Sequence, residues 1–361
     1  MFSFLVLSLA SVWTKVWPIL FAVVFFGLII AVHELGHFLF AKLFKVRVNK
    51  FALGMGPAFL KFGKGETEYS LRILPIGGYC AMEGEDEESE DERSFSKKPV
   101  WQRFIIVAAG AIFNLILGLI IISVMLSQVE LIGTNTVKTF TEDSVTQAAG
   151  FQEGDKIVKI NGRRVFSDFD ISFLIARSKG NKFDFTMKRQ GKFVELNGVE
   201  MKTKEVNGHE FVVYDFIIKG LKPSVLNVPK YAFLQTVSVA RVVWVSLLDL
   251  VTGRFGFKDI SGPIGVVGVV AQVAGESSEG GVDLMPVLNL LSLISINIGL
   301  FNLLPVPALD GGRLFFMLIE IIRRKPVPQK YERWVHATGL LILLAFMAVI
   351  SAADIVKLIR H

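Results

Sequence analysis

Ile29-Ile30-Ala31-Val32-His33-Glu34-Leu35-Gly36-His37-Phe38 places three ionisable side chains inside an apolar run that extends over residues 17–44. A helix that crosses a bilayer needs about 20 mostly apolar residues, and this run is longer than that. Residues 104–126, 285–304 and 339–356 form three more runs of sufficient length. The composition agrees: of 361 residues, 52% are hydrophobic and only 20% charged, with a mean hydropathy of +0.52. Such a chain is too apolar for an ordinary soluble enzyme and buries too much to be disordered. The net charge of +6 does not point to nucleic acid, because basic residues of membrane proteins collect in cytoplasmic loops and at lipid headgroups. The bilayer is the expected partner, and no nucleic acid. The single cysteine, Cys80, allows neither an intramolecular disulfide nor a cysteine zinc cage. The apolar start, residues 1–13, lacks the basic region of a secretory signal and reads as uncleaved.

Lysine and arginine set the orientation. Lys42, Lys45, Arg47, Lys50, Lys61 and Lys64 follow the first run, Lys97, Lys98 and Arg103 precede the second, and Arg323, Arg324, Lys325, Lys330 and Arg333 lie between the third and fourth. Both loops are therefore expected on the cytoplasmic side. Residues 231–251 are also apolar, but they contain Gln235, Arg241 and Asp249, and a charge at the bilayer centre costs at least about 2.5 kcal/mol. The expectation there is an interfacial helix. Four spans then leave both termini and the long segment 128–283 outside.

Between residues 130 and 219 the pattern changes to short alternating runs with turn signals. Val145-Thr146-Gln147-Ala148-Ala149-Gly150 reads as a short helix closed by glycine, and Lys156-Ile157-Val158-Lys159-Ile160 as a half-buried strand. Asn161-Gly162 signals a hairpin, Ser167 caps a helix running toward Gly180, and strands over 183–188 and 192–196 flank the Gln190-Gly191 turn. The stretch from Ala148 to Gly162 resembles PDZ domains of the bacterial protease type. Such domains take an extended peptide between a strand and a helix, which implies capture of substrate tails; a spacer that excludes bulky proteins by size is the alternative.

Within the first run, His33 and His37 are four residues apart, so their rings leave one helix face one turn apart and can both reach one zinc ion, with Glu34 beside them to handle the proton of a water. Polar groups in lipid are penalised, which argues against two idle histidines. Catalytic zinc usually has three protein ligands. His209, His336 and His361 are poor candidates for the third: the first lies in the outside domain, the second beside Arg333 and Trp334 at the headgroups, the last at the terminus. The acidic run 83–92 reads as a solvated loop. Asp310 is the better candidate, because Asn302-Leu303-Leu304-Pro305-Val306-Pro307-Ala308-Leu309-Asp310-Gly311-Gly312 breaks the third apolar segment. Broken backbone at membrane depth is tolerated where protein buries it or water reaches it, and Pro305 and Pro307 free carbonyls there.

Together, the HExxH at His33–His37, Gly54-Met55-Gly56, Leu74-Pro75-Ile76-Gly77-Gly78-Tyr79, Gly110-Ala111-Ile112-Phe113-Asn114, Ser261-Gly262-Pro263-Ile264-Gly265 and the N-x-x-P-x-P-x-L-D-G-G from Asn302 to Gly312 resemble the site-2 proteases, zinc metalloproteases that cut inside membranes, and their RseP-type bacterial branch. The resemblance implies Zn2+ held by His33, His37 and Asp310, Glu34 as general base and acid, and Asn302 at the substrate backbone or the oxyanion. It also implies a hairpin around Leu71 and Ile73 that dips into the membrane and pairs with the substrate. The implied location is the bacterial inner membrane, and the implied substrates are single-pass membrane proteins or membrane peptides, anti-sigma factors and signal-peptide remnants among them. RseP of enteric bacteria has two tandem PDZ domains, whereas this chain has room for one. Read from its own residues, Gly110 with Asn114 is a helix-packing notch.

The expected fold is an α-helical polytopic membrane protein of about four transmembrane helices with an inserted extracytoplasmic α+β PDZ-like domain. The expected divisions are 1–127 with the HExxH and a cytoplasmic hairpin, 128–220 PDZ-like, 221–284 interfacial helix and loop, and 285–361 with the last two spans. Two other functions remain open: a membrane scaffold with no metal, and a metal transporter, against which stands the lack of an inverted repeat between the two pairs of spans.

Overall fold

The computed structural model describes residues 2–63, 65–85, 87, 89–178, 180–206, 209–253, 262–279 and 284–360. Asp86 and Glu88 of the acidic run, Ser261 and His361 lie outside them. In chain order the elements are α1 (Phe2–Leu43), β1 (Val48–Phe62), β2 (Glu68–Met82), α2 (Val100–Gln128), β3 (Ile132–Phe140), α3 (Val145–Ala148), β4 (Lys156–Ile160), β5 (Arg163–Arg164) and α4 (Asp168–Arg177). They continue with β6 (Lys182–Arg189), β7 (Lys192–Glu200), β8 (Thr203–Val206), β9 (His209–Val212), β10 (Phe216–Leu221), α5 (Asn227–Val251), α6 (Pro263–Glu279), α7 (Met285–Leu303), α8 (Asp310–Arg323) and α9 (Gln329–Arg360). Residues 1–121 with 247–361 form one compact unit and residues 122–246 another.

Among the described residues, five helices are long and apolar enough to cross a membrane: Leu20–Leu43, Val100–Gln128, Asn227–Leu250, Met285–Leu303 and Lys330–Val356. Four of them overlap the four apolar runs, and the fifth lies within α5. In the first unit α1 and α2 approach closely. A β-carbon on Gly36 would fall 2.5 Å from the Ala109 carbonyl oxygen, so only glycine lets the two backbones meet at this depth. A cluster of Ala41, Val46, Val48, Cys80, Met82, Phe95, Ile106, Leu314 and Met317 ties the end of α1 and the β1–β2 segment to α2 and α8.

The β1–β2 segment is more than a single hairpin around Leu71 and Ile73. The first part of β1 pairs twice, Ala52 lying opposite both Tyr79 and Ser70, while its last part pairs with the start of β2, Phe62 opposite Tyr69. The lateral order is therefore 58–62, 68–72, 50–53, 78–82. Leu71 lies opposite Leu53 on one side and Leu60 on the other, and the 78–82 stretch is an edge. Met55, Phe59, Leu60, Phe62, Ile73 and Leu74 are exposed on this small sheet, an apolar surface suited to lipid.

In the second unit an antiparallel sheet of order β10-β3-β4-β6-β7, with β5 on β4, packs Phe151, Ile157, Ile160, Phe183, Phe185 and Met187 against Ile171, Leu174 and Ile175 of α4. The strand alternation read over 156–160, 183–188 and 192–196 is that of β4, β6 and β7, with the turns at Asn161-Gly162 and Gln190-Gly191 left-handed at both residues (φ 48 and 74; φ 46 and 86). Asp170, fully buried, anchors the start of α4. Its Oδ2 accepts from Phe166 N (2.6 Å), Ser167 N (3.2 Å) and Ser238 Oγ (2.9 Å), and its Oδ1 pairs with Arg241. Ser238 and Arg241 belong to α5, so that helix is fastened to the β-rich unit at mid-length.

Candidate metal centre

Asp310 Oδ2 stands 3.1 Å from His33 Nε2 and 3.3 Å from His37 Nε2, and the two Nε2 atoms are 3.2 Å apart. Ligand atoms bound at about 2.0–2.1 Å to a tetrahedral zinc are separated by about 3.3 Å, so this triangle has the dimensions of one zinc face. Among the described residues no other group of three metal-ligating side chains is as close. The chemistry of the donors fits as well. A carbonyl only accepts, so the 2.9 Å bond between His37 Nδ1 and the Ile106 carbonyl fixes the proton on Nδ1 and turns the Nε2 lone pair to the centre, as a metal-ligating histidine requires.

Each ligand has a local cause. The i, i+4 spacing on α1 stacks the two rings edge to face, their centroids 4.8 Å apart. Asp310 is the first residue of α8, and the chain between α7 and α8 is the break expected from Pro305, Pro307, Gly311 and Gly312. Ala308 in that break is left-handed (φ 75), a conformation that costs a non-glycine residue about 1 kcal/mol or more. Its N–H donates to His336 Nδ1 at 3.1 Å. His336 therefore does not face the headgroups; it holds the turn that delivers Asp310. Its position before the fourth apolar run concealed this, because the contact joins residues 28 apart in the chain with α8 between them.

α2 forms the back wall. Ile106, Gly110 and Asn114, spaced by four, share one face. Ile106 bonds His37, and the Asn114 amide nitrogen lies 3.3 Å from His33 Nδ1. Gly110 sits between them against both rings: its β-carbon would be 2.3 Å from His37 Nε2. The Gly110–Asn114 pair read as a packing notch thus packs against the two candidate ligand histidines. Asn114 is fully buried, and its own carbonyl accepts from Ser295 Oγ of α7 at 2.7 Å.

A cavity of about 610 Å³ opens on the triangle, lined by His33, Glu34, His37 and Asp310, by the edge residues Gly78, Tyr79, Cys80, Ala81 and Met82, and by Glu85, Arg313, Glu332, Arg333 and His336. Buried Glu34 touches the edge strand: a β-carbon on Gly78 would meet its Cγ at 3.0 Å. Glu85, counted within the solvated acidic run, is instead a cavity wall. Its carboxylate pairs with Arg313 of α8 and accepts from Met82 N at 3.3 Å. Averaging charge over the run hid one residue that turns inward. Asn302 is on the last turn of α7, half-buried, with Pro305 exposed and Pro307 half-buried; none of the three lines the cavity. Leu71 is interior to the small sheet and Ile73 is exposed.

Comparison with known proteins supplies the context. The profile of peptidase family M50 matches residues 21–346. A protein of Clostridium acetobutylicum that bears the designation "putative zinc metalloprotease" is 37% identical over 94% of this chain and 97% of its own length. A protein of the same designation from Fusobacterium nucleatum is 35% identical over 94% and 98%. The regulator of sigma-W protease RasP of Bacillus subtilis is 30% identical over 93% and 97%. The triangle of candidate ligand atoms and its neighbouring glutamate are thus set in a chain that matches these relatives almost from end to end, and the chain belongs to peptidase family M50.

Proposed function

We propose that this zinc metalloprotease hydrolyses peptide bonds in membrane-embedded segments of single-pass membrane proteins or membrane peptides, with His33, His37 and Asp310 holding the metal. The observation that carries this reading is the triangle of ligand atoms beside Glu34, on a helix apolar enough to cross a membrane. Zinc, when bound, supplies Lewis acidity toward the scissile carbonyl and brings the pKa of water toward about 7. Glu34 takes the water's proton as general base and returns it to the leaving amine as general acid.

A helical peptide bond is shielded, so the substrate must be held extended. The edge at 78–82, in the cavity wall and against Glu34, supports addition of a substrate strand there. Strand addition is therefore assigned to this edge rather than to Leu71 and Ile73, since Leu71 is already flanked on both sides. The charged wall of Glu85, Arg313, Glu332 and Arg333 offers a wet approach on the side where the basic loops lie. The orientation from those loops puts cleavage near the cytoplasmic face of a bacterial inner membrane. Asn302, Pro305 and Pro307 are assigned to the substrate backbone by their place in the break before Asp310.

The second unit, PDZ-like by its sequence and sheet order, stands outside in this reading, and α5 lies at the interface, because its Ser238 and Arg241 are held by α4 and not by lipid. β3, the strand beside α4, is flanked by β10 and β4, so it has no free edge for an added peptide. There the Asp168 carboxylate would lie 2.1 Å from a β-carbon on Gly133, and burial pushes that carboxyl above the usual range. A closed groove favours exclusion of bulky ectodomains over capture of tails. The name of one relative, regulator of sigma-W protease, supports including anti-sigma factors in the proposed substrate class. In the test, Glu34→Gln protein in detergent retains zinc and leaves a model membrane peptide uncut. Cleavage at the unmodified rate by Glu34→Gln overturns the mechanism.

A further inference from the structure

We infer that Asn114 is a positioning residue for the metal: its side-chain oxygen accepts the Nδ1 proton of His33 and so fixes the tautomer in which His33 Nε2 faces the centre. The inference rests on the reading that His33, His37 and Asp310 hold zinc. His37 is already oriented, since the Ile106 carbonyl takes its Nδ1 proton at 2.9 Å. Among the described residues no main-chain carbonyl takes that role for His33. What stands at its Nδ1 is the Asn114 amide, at 3.3 Å.

A neutral imidazole carries one proton. For Nε2 to offer a lone pair to a cation, the proton must be on Nδ1, and Nδ1–H needs an acceptor. The amide nitrogen drawn opposite it has none to offer, whereas the amide oxygen does. A half-turn of the amide about χ2 exchanges the two ends without moving the backbone. Asn114 Oδ1 has no hydrogen-bond partner among the described residues, so the half-turn breaks no bond of that oxygen. The arrangement with the NH2 toward the ring and the one with the oxygen toward it then differ by one rotation.

The surroundings hold the residue in place for this. Asn114 has no exposed surface. The Ser295 hydroxyl, itself fully buried, donates to the Asn114 carbonyl at 2.7 Å and pins this turn of α2 to α7. The two histidines thus have outer partners eight residues apart on one face of α2, a main-chain oxygen for one and a side-chain oxygen for the other. Outer partners of this kind typically contribute about 10- to 100-fold in metal affinity.

The experiment measures zinc affinity by chelator competition for the full-length protein in detergent, with Asn114→Leu, Asn114→Ala, Asn114→Asp and His33→Ala in parallel. Leucine and alanine remove the acceptor, alanine being read if the leucine variant does not fold; aspartate is an acceptor at both oxygens and cannot donate when ionised. The expected result is a loss of about 10- to 100-fold in the acceptor-free variant and an affinity within about threefold of the unmodified protein for Asn114→Asp. The visible spectrum of the cobalt-substituted protein should be altered in the acceptor-free variant and preserved in Asn114→Asp. A packing role predicts no such rescue. Full affinity in the acceptor-free variants, or equal losses in all the Asn114 variants, overturns the inference while His33→Ala still abolishes binding. Zinc retained in His33→Ala instead overturns the metal site and the inference with it.

Discussion

A β-carbon on Gly110 would stand 2.3 Å from Nε2 of His37 and 2.9 Å from Cε1 of His33. Propensity and site therefore pull in opposite directions: alanine in a helix interior is better than glycine by about 1 kcal/mol, yet here its methyl takes the space of the ligand rings. For Gly110→Ala the expected outcome is metal-free protein that melts no lower than the unmodified chain, with zinc affinity reduced at least about tenfold. Melting curves and chelator competition on one preparation check both halves. Unchanged affinity would mean that the rings are not packed on Gly110.

Strand addition at the 78–82 edge is open to cross-linking. In a Cys80→Ser, Glu34→Gln background, Ala81→Cys should form disulfides with a cysteine near the scissile bond of a trapped membrane peptide, and Leu71→Cys should not, being flanked on both sides. Efficient cross-linking through position 71 with none through 81 would move the substrate to another strand.

The candidate metal ligands His33, His37 and Asp310, with Glu34 beside them, were legible in the sequence because membrane burial makes polar side chains conspicuous and they have few competitors. The β4, β6 and β7 strands were legible from alternation bounded by left-handed turns. Asn114 and Gly110 were visible as residues but not as partners, since their meaning depends on which helix face meets α1. His336 and Glu85 were hidden for the opposite reason. Each lies in a charged stretch that reads as solvated from the sequence alone, and only long-range closure, Ala308 to His336 and Arg313 to Glu85, singles it out. The double pairing of β1 could not be read locally, because register across a bent strand is set by contacts about twenty residues away.

Arg241 and Asp170 form a pair whose carboxylate side chain is fully buried. Breaking such a pair by removing one partner costs about 3 kcal/mol or more, whereas a neutral replacement of both costs less. Arg241→Met should accelerate amide exchange throughout α4 and the start of α5, with partial recovery in Asp170→Asn/Arg241→Met. Unaltered exchange in the single variant would show that α5 is not fastened to this unit.

The orientation is tested by an impermeant thiol reagent on spheroplasts carrying Cys80→Ser. Exposed Glu153→Cys should label from outside, and exposed Glu92→Cys only after permeabilisation. The reverse pattern would invert the topology and move the proposed cleavage to the opposite face.

The most direct test is zinc bound per chain at limiting free zinc, measured for Asp310→Asn beside Glu34→Gln. Glu34 is not among the ligands, so its amide should leave zinc at the level of the unmodified protein. Asp310→Asn replaces a carboxylate ligand by a neutral amide, a poorer donor for this cation. The expected result is zinc retained in the first and lost at least about tenfold in affinity in the second. Full zinc in Asp310→Asn under the same conditions would contradict the three-ligand centre and the joining of α1 to α8 through one metal.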